Sequence, residues 1–224
     1  RVFSAPASLG NMIHYALEHH VGDDDELDLA ELNKLYEYSR GIYDPDSQID
    51  DELINAGYSM LSEFVDRHDE EEFDVLGKEI DFQFVLGSAL VRGYIDRVDK
   101  VDDNTLHVID YKSGKFQVKS KEIDDNTQLM VYAIALSILY PEVNRFVSER
   151  YYLRTGDRVR KVFTREQLPE IADEVHRSIV QIITDIQFRS TDAHFMCTWC
   201  DHAKTGECKT GVSRSSRFSR RRKK

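Results

Sequence analysis

The 224-residue sequence holds no apolar run that approaches the roughly 20 residues a membrane span requires, so no membrane partner is expected. Its start, Arg1-Val2-Phe3, lacks the make-up of a signal peptide, and the expectation is a soluble intracellular protein, cytoplasmic, or in the nucleoid or host cell if phage-encoded. Position 1 is not Met, which implies a fragment or a processed chain with something missing upstream. Cysteine is absent before Cys197 and occurs only there, at Cys200 and at Cys208, which excludes a disulfide framework. No internal repeat is present. With 41 Asp and Glu against 30 Lys and Arg, the net charge of −11 excludes attachment to nucleic acid by bulk charge alone. Any such contact needs a local basic surface.

What is present suits one compact domain: 41% hydrophobic and 32% charged residues can build one sizeable core. The charge is uneven. Residues 213–224 carry seven basic side chains and no acid, leaving −18 on the remainder. This tail is expected to be disordered, its charges either binding phosphate or merely solvated.

Helical spacing of Leu9, Met12, Ile13, Ala16 and Leu17 predicts a helix over 8–21, with Ser8 available as its N-cap. Two more are expected over 27–38 and 49–67, separated by a turn at 41–46. They form an acidic helical region, 23–72, whose Asp and Glu clusters read as solvated faces. Near Phe73 the apolar period changes from 3.6 to 2. Strands are expected over 73–86, 89–101 and 105–111 as an antiparallel meander, then a helix over 124–139. A hairpin over 145–154 and 158–163 follows, turning at Thr155-Gly156-Asp157, and Thr164 with Gln167 forms a capping box for a helix reaching Phe188. The predicted class is α/β: a central mixed sheet flanked by helices, with an N-terminal helical insertion. The expected organisation is a domain over 1–212, with the cysteine cluster 197–208 at its end, and the tail 213–224.

The chemistry concentrates in Gly93-Tyr94-Ile95-Asp96-Arg97-Val98-Asp99 and Ile109-Asp110-Tyr111-Lys112-Ser113-Gly114. On a strand Asp110 and Lys112 project from one face, and the turn at 102–104 folds Asp96 back beside Asp110. Two converging carboxylates repel unless a cation lies between them, and hard oxygen ligands favour Mg2+ or Mn2+. An ammonium beside such a cation, that of Lys112, completes a phosphodiester-cleaving arrangement.

At these residues the sequence resembles the RecB-like branch of the PD-(D/E)XK nuclease superfamily, which includes the AddB nuclease domain and CRISPR-associated exonucleases. The likeness rests on the two segments above, on Gly10-Asn11-Met12-Ile13-His14 and on Gln128-Leu129-Met130-Val131-Tyr132, and spans 8–208. It implies a restriction-endonuclease-like core, metal ligation by His14, Asp96, Asp110 and the Tyr111 carbonyl, and catalysis by Lys112 with Asp110 and Asp96. Gln128 and Tyr132 would position the DNA backbone or the lysine. Glu79 matches an acid often found on the first strand of relatives and is not counted among the expected ligands; Arg97 and Asp99 are expected to form a supporting ion pair.

Cys197-Thr198-Trp199-Cys200, seven further residues and then Cys208 have the look of a soft-metal site. Many members of the branch hold a 4Fe-4S cluster with three such cysteines and a fourth far upstream. The fourth is not in this sequence, so the resemblance implies a cluster in the full-length protein. Zinc with His194 or His202, or no metal, remains open for the chain itself. Phe195 and Trp199 read as local core or as base-stacking residues. The expected activity is a divalent-metal-dependent DNA nuclease, an exonuclease on single strands or duplex ends, serving recombination, repair or phage DNA processing, with a protein partner of such a complex as a further expectation. The alternative is a catalytically silent nucleic-acid-binding module that keeps the fold.

Overall fold

The computed structural model describes residues 3–20, 27–68, 74–114, 127–187, 189, 194–198 and 200–211, with the backbone alone at 68, 194 and 195. The basic tail, the acid clusters 23–26 and 69–72, and the segment 115–126 lie outside the described residues. Ser4–Val180 forms one compact unit; Gln181–Lys224 falls with Arg1–Phe3 into a second.

In the first unit the elements are α1 (Ala5–His19), α2 (Leu29–Tyr43), α3 (Asp51–His68), β1 (Asp74–Leu86), β2 (Ala89–Asp102), β3 (Thr105–Lys112), α4 (Thr127–Leu139), β4 (Arg145–Tyr152), β5 (Asp157–Thr164) and α5 (Leu168–Thr184), whose last turn passes into the second unit. The five strands form a sheet ordered β1-β2-β3-β4-β5, and every neighbouring pair is antiparallel except β3 and β4. Parallel neighbours need a crossover, which α4 occupies in sequence. This is the mixed sheet with flanking helices that the period change predicts.

Two cores lie among these elements. Phe82, Ile95, Val98, Leu106 and Val108 join Leu129, Ala133 and Leu136 of α4 and Ile171 and Val175 of α5 in one. Helix α4 is buried on most of its circumference, as its almost wholly apolar sequence requires. The other core joins α1, α2 and α3 to Ile109, Tyr111, Tyr151 and Leu153. Each fully buried Leu or Ile contributes roughly 1.5–3 kcal/mol. β3 is buried along nearly its whole length, so the residues at its end are held from both faces.

Several boundaries differ from expectation. α1 starts earlier than expected: Ser4 takes the extended N-cap conformation, Pro6 fills the first turn, and Ser8 lies inside the helix with its N–H donating to the Ser4 carbonyl at 2.9 Å. α2 runs through Gly41 to Tyr43 because Asp44 makes the stop. Its buried carboxylate accepts from the N–H groups of Gln48 (2.6 Å) and Ile49 (3.2 Å). A 3-10 turn, Arg165–Gln167, precedes α5, with the Thr164 N–H donating to Gln167 Oε1 at 2.9 Å. α5 ends at Thr184 and does not reach Phe188.

Candidate active site

The site gathers where β2 and β3 part. Their ladder is regular from Asp99↔His107 to Arg97↔Ile109, and one step further the register sets Asp96 opposite Asp110. There Asp96 Oδ2 accepts the Tyr111 N–H at 2.8 Å, a side chain taking the bond that the ladder no longer supplies. The alternation of β2 also slips at this point, since Ile95 and Val98, three apart, enter the same core. Across from it in β1 stands Glu79, in the left-handed region with φ +46°. A non-glycine residue held there costs energy that surrounding structure must sustain, a feature that clusters at functional sites.

α1 supplies the third side of the site. A Cβ on Gly10 would lie 3.1 Å from Ser113 Oγ, so the missing side chain lets the helix come close to the end of β3. One turn later His14 donates from Nε2 to the Tyr111 carbonyl at 3.1 Å, and its Nδ1 lies 3.6 Å from Asp96 Oδ1. This is the physical content of Gly-x-x-x-His: closeness at the glycine, and one turn later an imidazole brought to the end of β3.

Ligand atoms of His14, Glu79 and Asp96 lie within 4.8 Å of one another, and no other such group occurs among the described residues. Burial opposes protonation of His14, but its hydrogen bond to Asp96 and that carboxylate's charge outweigh it and raise the pKa. Burial and the charge of Asp96 push the Glu79 carboxyl up as well. A half-buried set of one imidazole and two carboxylates carrying unrelieved negative charge fits a hard divalent cation.

Asp110, 2% exposed, lies outside that group and is held by four side chains. Lys112 Nζ donates to its Oδ1 at 2.9 Å and stands 2.7 Å from Oδ2. Gln128 Nε2 and the Tyr132 hydroxyl donate to Oδ1 at 3.1 and 3.3 Å, and Arg150 Nε lies 3.7 Å from Oδ2. Burial raises the Asp110 pKa, with Lys112 pulling it down and Asp96 pushing it up. Arg150 also donates to Gln128 Oε1 at 2.9 Å, which turns the amide NH2 toward Asp110. Gln128 and Tyr132, expected to face DNA or the lysine, thus meet the carboxylate beside the lysine. Burial and the Asp110 charge raise the Tyr132 pKa far above the ordinary phenol range, so it stays a donor.

Every expected residue except the cysteines is therefore within this constellation. Glu79 enters the ligand group as well, and an acid in an amphipathic strand offered no signal beyond the family likeness; Arg150, a basic residue on a predicted strand, offered none. Arg97 and Asp99 form the expected buried pair, Nε to Oδ1 at 2.6 Å.

The cysteines lie in the second unit. Cys197 is buried in a 3-10 turn (His194–Thr198), Cys200 precedes α6 (Asp201–Lys204), and Cys208 Sγ accepts from the Gly211 N–H at 3.2 Å. Among the described residues the three thiols are free and form no metal group, and His202 pairs with Glu207 at 2.5 Å. Trp199 and the side chains of His194 and Phe195 lie outside the described residues. No chemistry is assigned to the three sulfurs. No described helix is long and apolar enough to cross a membrane.

Residues 2–205 match the PD-(D/E)XK nuclease superfamily. Over 85 residues the chain is 33% identical to an ATP-dependent helicase/deoxyribonuclease subunit from Streptococcus pyogenes serotype M1, covering 36% of this chain and 8% of that protein. The corresponding protein of S. pyogenes serotype M49 is 32% identical over 85 residues, again 8% of its length. The chain thus spans under a tenth of the curated relatives it matches. A crystal structure of a Eubacterium rectale protein assigned as an exonuclease aligns with TM-score 0.48 and 15% identity, over 80% of this chain and 66% of that one.

Proposed function

Since the chain belongs to the PD-(D/E)XK nuclease superfamily, in its RecB-like branch, we propose that it hydrolyses phosphodiester bonds of DNA with Mg2+ or Mn2+, as an exonuclease on single strands or duplex ends. The observation that carries this reading is the pairing of two half-sites. A donor set of His14, Glu79 and Asp96 lies beside a buried carboxylate, Asp110, locked to an ammonium, Lys112.

His14, Glu79 and Asp96 would hold the cation, with Asp110 and the Tyr111 carbonyl adjoining. A bound Mg2+ or Mn2+ supplies positive charge to the phosphate and acidifies water. Lys112, one-third exposed, is the more exposed half of its pair: its ammonium orients the attacking water and neutralises charge growing on the phosphate oxygens. Gln128, Tyr132 and Arg150 position Asp110, so that two carboxylates stay close enough to share one charge. Water is the nucleophile and no covalent intermediate forms. The names of the relatives, each part of a helicase/deoxyribonuclease, support a role in recombination or repair within a protein complex, and an intracellular location.

The test is cleavage of DNA labelled at either end, single- or double-stranded, followed in time with Mn2+ or Mg2+. Asp110→Ala and Lys112→Ala should abolish cleavage while circular dichroism stays native, and EDTA should abolish it in the parent protein. Full activity in either variant or in EDTA refutes the reading. Salt-sensitive binding with no cleavage across metals and substrates would instead establish the silent binding module.

A further inference from the structure

The parallel pair of the sheet, β3 and β4, ends in step: Lys112 stands in register with Tyr152, and the Leu153 N–H donates to the Lys112 carbonyl at 3.0 Å. Ligands of α/β sheets gather outside the carboxyl ends of parallel strands. Beyond β4 the chain turns sharply, with the N–H groups of Thr155 and Gly156 both donating to the Tyr152 carbonyl, at 3.2 and 2.8 Å. Gly156 takes the left-handed region, φ +74°, and a Cβ on it would lie 2.7 Å from Arg67 Nε. Arg67 therefore lies against the turn, and its Nη1 donates to the Leu153 carbonyl at 3.1 Å.

Arg154 belongs to this clamped turn. Its Nε donates to the Ser113 carbonyl at 2.9 Å, which ties the side chain to the residue directly after Lys112. That bond leaves the edge of the guanidinium that carries both Nη groups, and no other hydrogen bond and no carboxylate within 4.0 Å engages it among the described residues. The neighbouring cations differ. Lys112 and Arg150 face Asp110, Arg67 pairs with Glu63, and Arg158 and Arg160 face Glu149. Each of those charges meets a carboxylate, whereas Arg154 meets a neutral carbonyl. In a protein of net charge −11, a cation without a matching acid, fixed at the end of the lysine-bearing strand, is set to receive an anion from outside.

We infer that Arg154 binds substrate: the Nη edge of its guanidinium takes the DNA backbone phosphate next to the one presented to Lys112. The inference rests on the proposed nuclease reading and adds to it where the adjoining nucleotide lies. A planar guanidinium matches two phosphate oxygens, and the Ser113 tether orients it before the strand arrives, so little side-chain freedom is lost on binding. A phosphate carries no base identity, so the contact grips a strand of any sequence.

The test is steady-state cleavage of a labelled single-stranded oligonucleotide at fixed Mn2+ and varied KCl. Arg154→Gln should lower kcat/KM about tenfold, chiefly through KM, as expected for a lost charged hydrogen bond to substrate. It should also reduce the slope of log kcat/KM against log salt by about 0.7, the value for one phosphate on a single strand. Arg154→Lys keeps the charge, so its slope should match the parent's. Circular dichroism should stay native in both variants, and the Mn2+-induced rise in Tm should equal the parent's, since neither change touches His14, Glu79 or Asp96. A lowered kcat with an unchanged salt slope would mean that the Ser113 tether acts alone, and it overturns the phosphate contact, as does an unchanged kcat/KM. If the parent in that event cleaves and needs Lys112, the nuclease reading stands; a parent that does not cleave removes that reading and the contact with it.

Discussion

Replacing Glu79 by glycine should separate the stability of the fold from its capacity to hold a cation. The left-handed backbone of Glu79, φ +46°, costs an L-residue roughly 1–2 kcal/mol that glycine does not incur. Glycine returns roughly 0.5–1 kcal/mol of that through its freer unfolded state. Removing a carboxyl whose pKa burial and Asp96 have raised also relieves repulsion. In EDTA the variant should therefore be as stable as the parent or up to about 1 kcal/mol more so, about 2–4 °C in Tm for a domain of this size. With Mn2+ at about 100 times its Kd the parent should gain about 2.7 kcal/mol, roughly 5–11 °C. Loss of one of three donors should weaken affinity by at least the roughly 100-fold upper effect of an outer-sphere partner, which leaves about 0.4 kcal/mol and a shift near 1 °C. Differential scanning fluorimetry with and without Mn2+ reads both numbers. Equal metal-induced shifts in the two proteins would refute the placement of Glu79 in the site. The parent's shift should also shrink as pH falls from about 8 to 5, because His14, raised above its ordinary value, then retains a proton that the cation must displace.

Three further outcomes follow from the packing. Gln128→Leu removes the amide between Arg150 and Asp110, so kcat should fall about tenfold or more with KM within about twofold, read by steady-state cleavage of labelled DNA. Glu149 is fully buried; burial opposes its ionisation, but His107 and Arg160 hold its carboxyl below the usual range. Its contribution is present above the unfolded value near 4.3 and is lost as pH falls through the lower folded one, so the Tm gap between parent and Glu149→Gln should narrow below about pH 4.3. A gap constant from about pH 6 to about 3.5 would contradict this. Asp44→Ala deprives the N–H groups of Gln48 and Ile49 of their acceptor and should cost about 2 kcal/mol by urea denaturation, with the midpoint shifted and the m-value unchanged.

Local chemistry made much of this protein legible from its residues. The change of apolar period from 3.6 to 2 located the meander, because periodicity reports directly on which face is buried. Asp-x-Lys set a carboxylate and an ammonium on one strand face. Helix ends were less legible: α2 passes its glycine because a buried aspartate, and not the glycine, makes the stop.

What the amino-acid order determined alone was the set of elements and the two acid-bearing strands, since both follow from interactions within a few residues. Only tertiary structure decided that Glu79 joins His14 and Asp96, and that Gln128, Tyr132 and Arg150 converge on Asp110. Those facts depend on strand register, on a backbone slip at Asp96, and on how close α1 approaches β3. Each is set by packing between residues tens of positions apart, which no local pattern encodes.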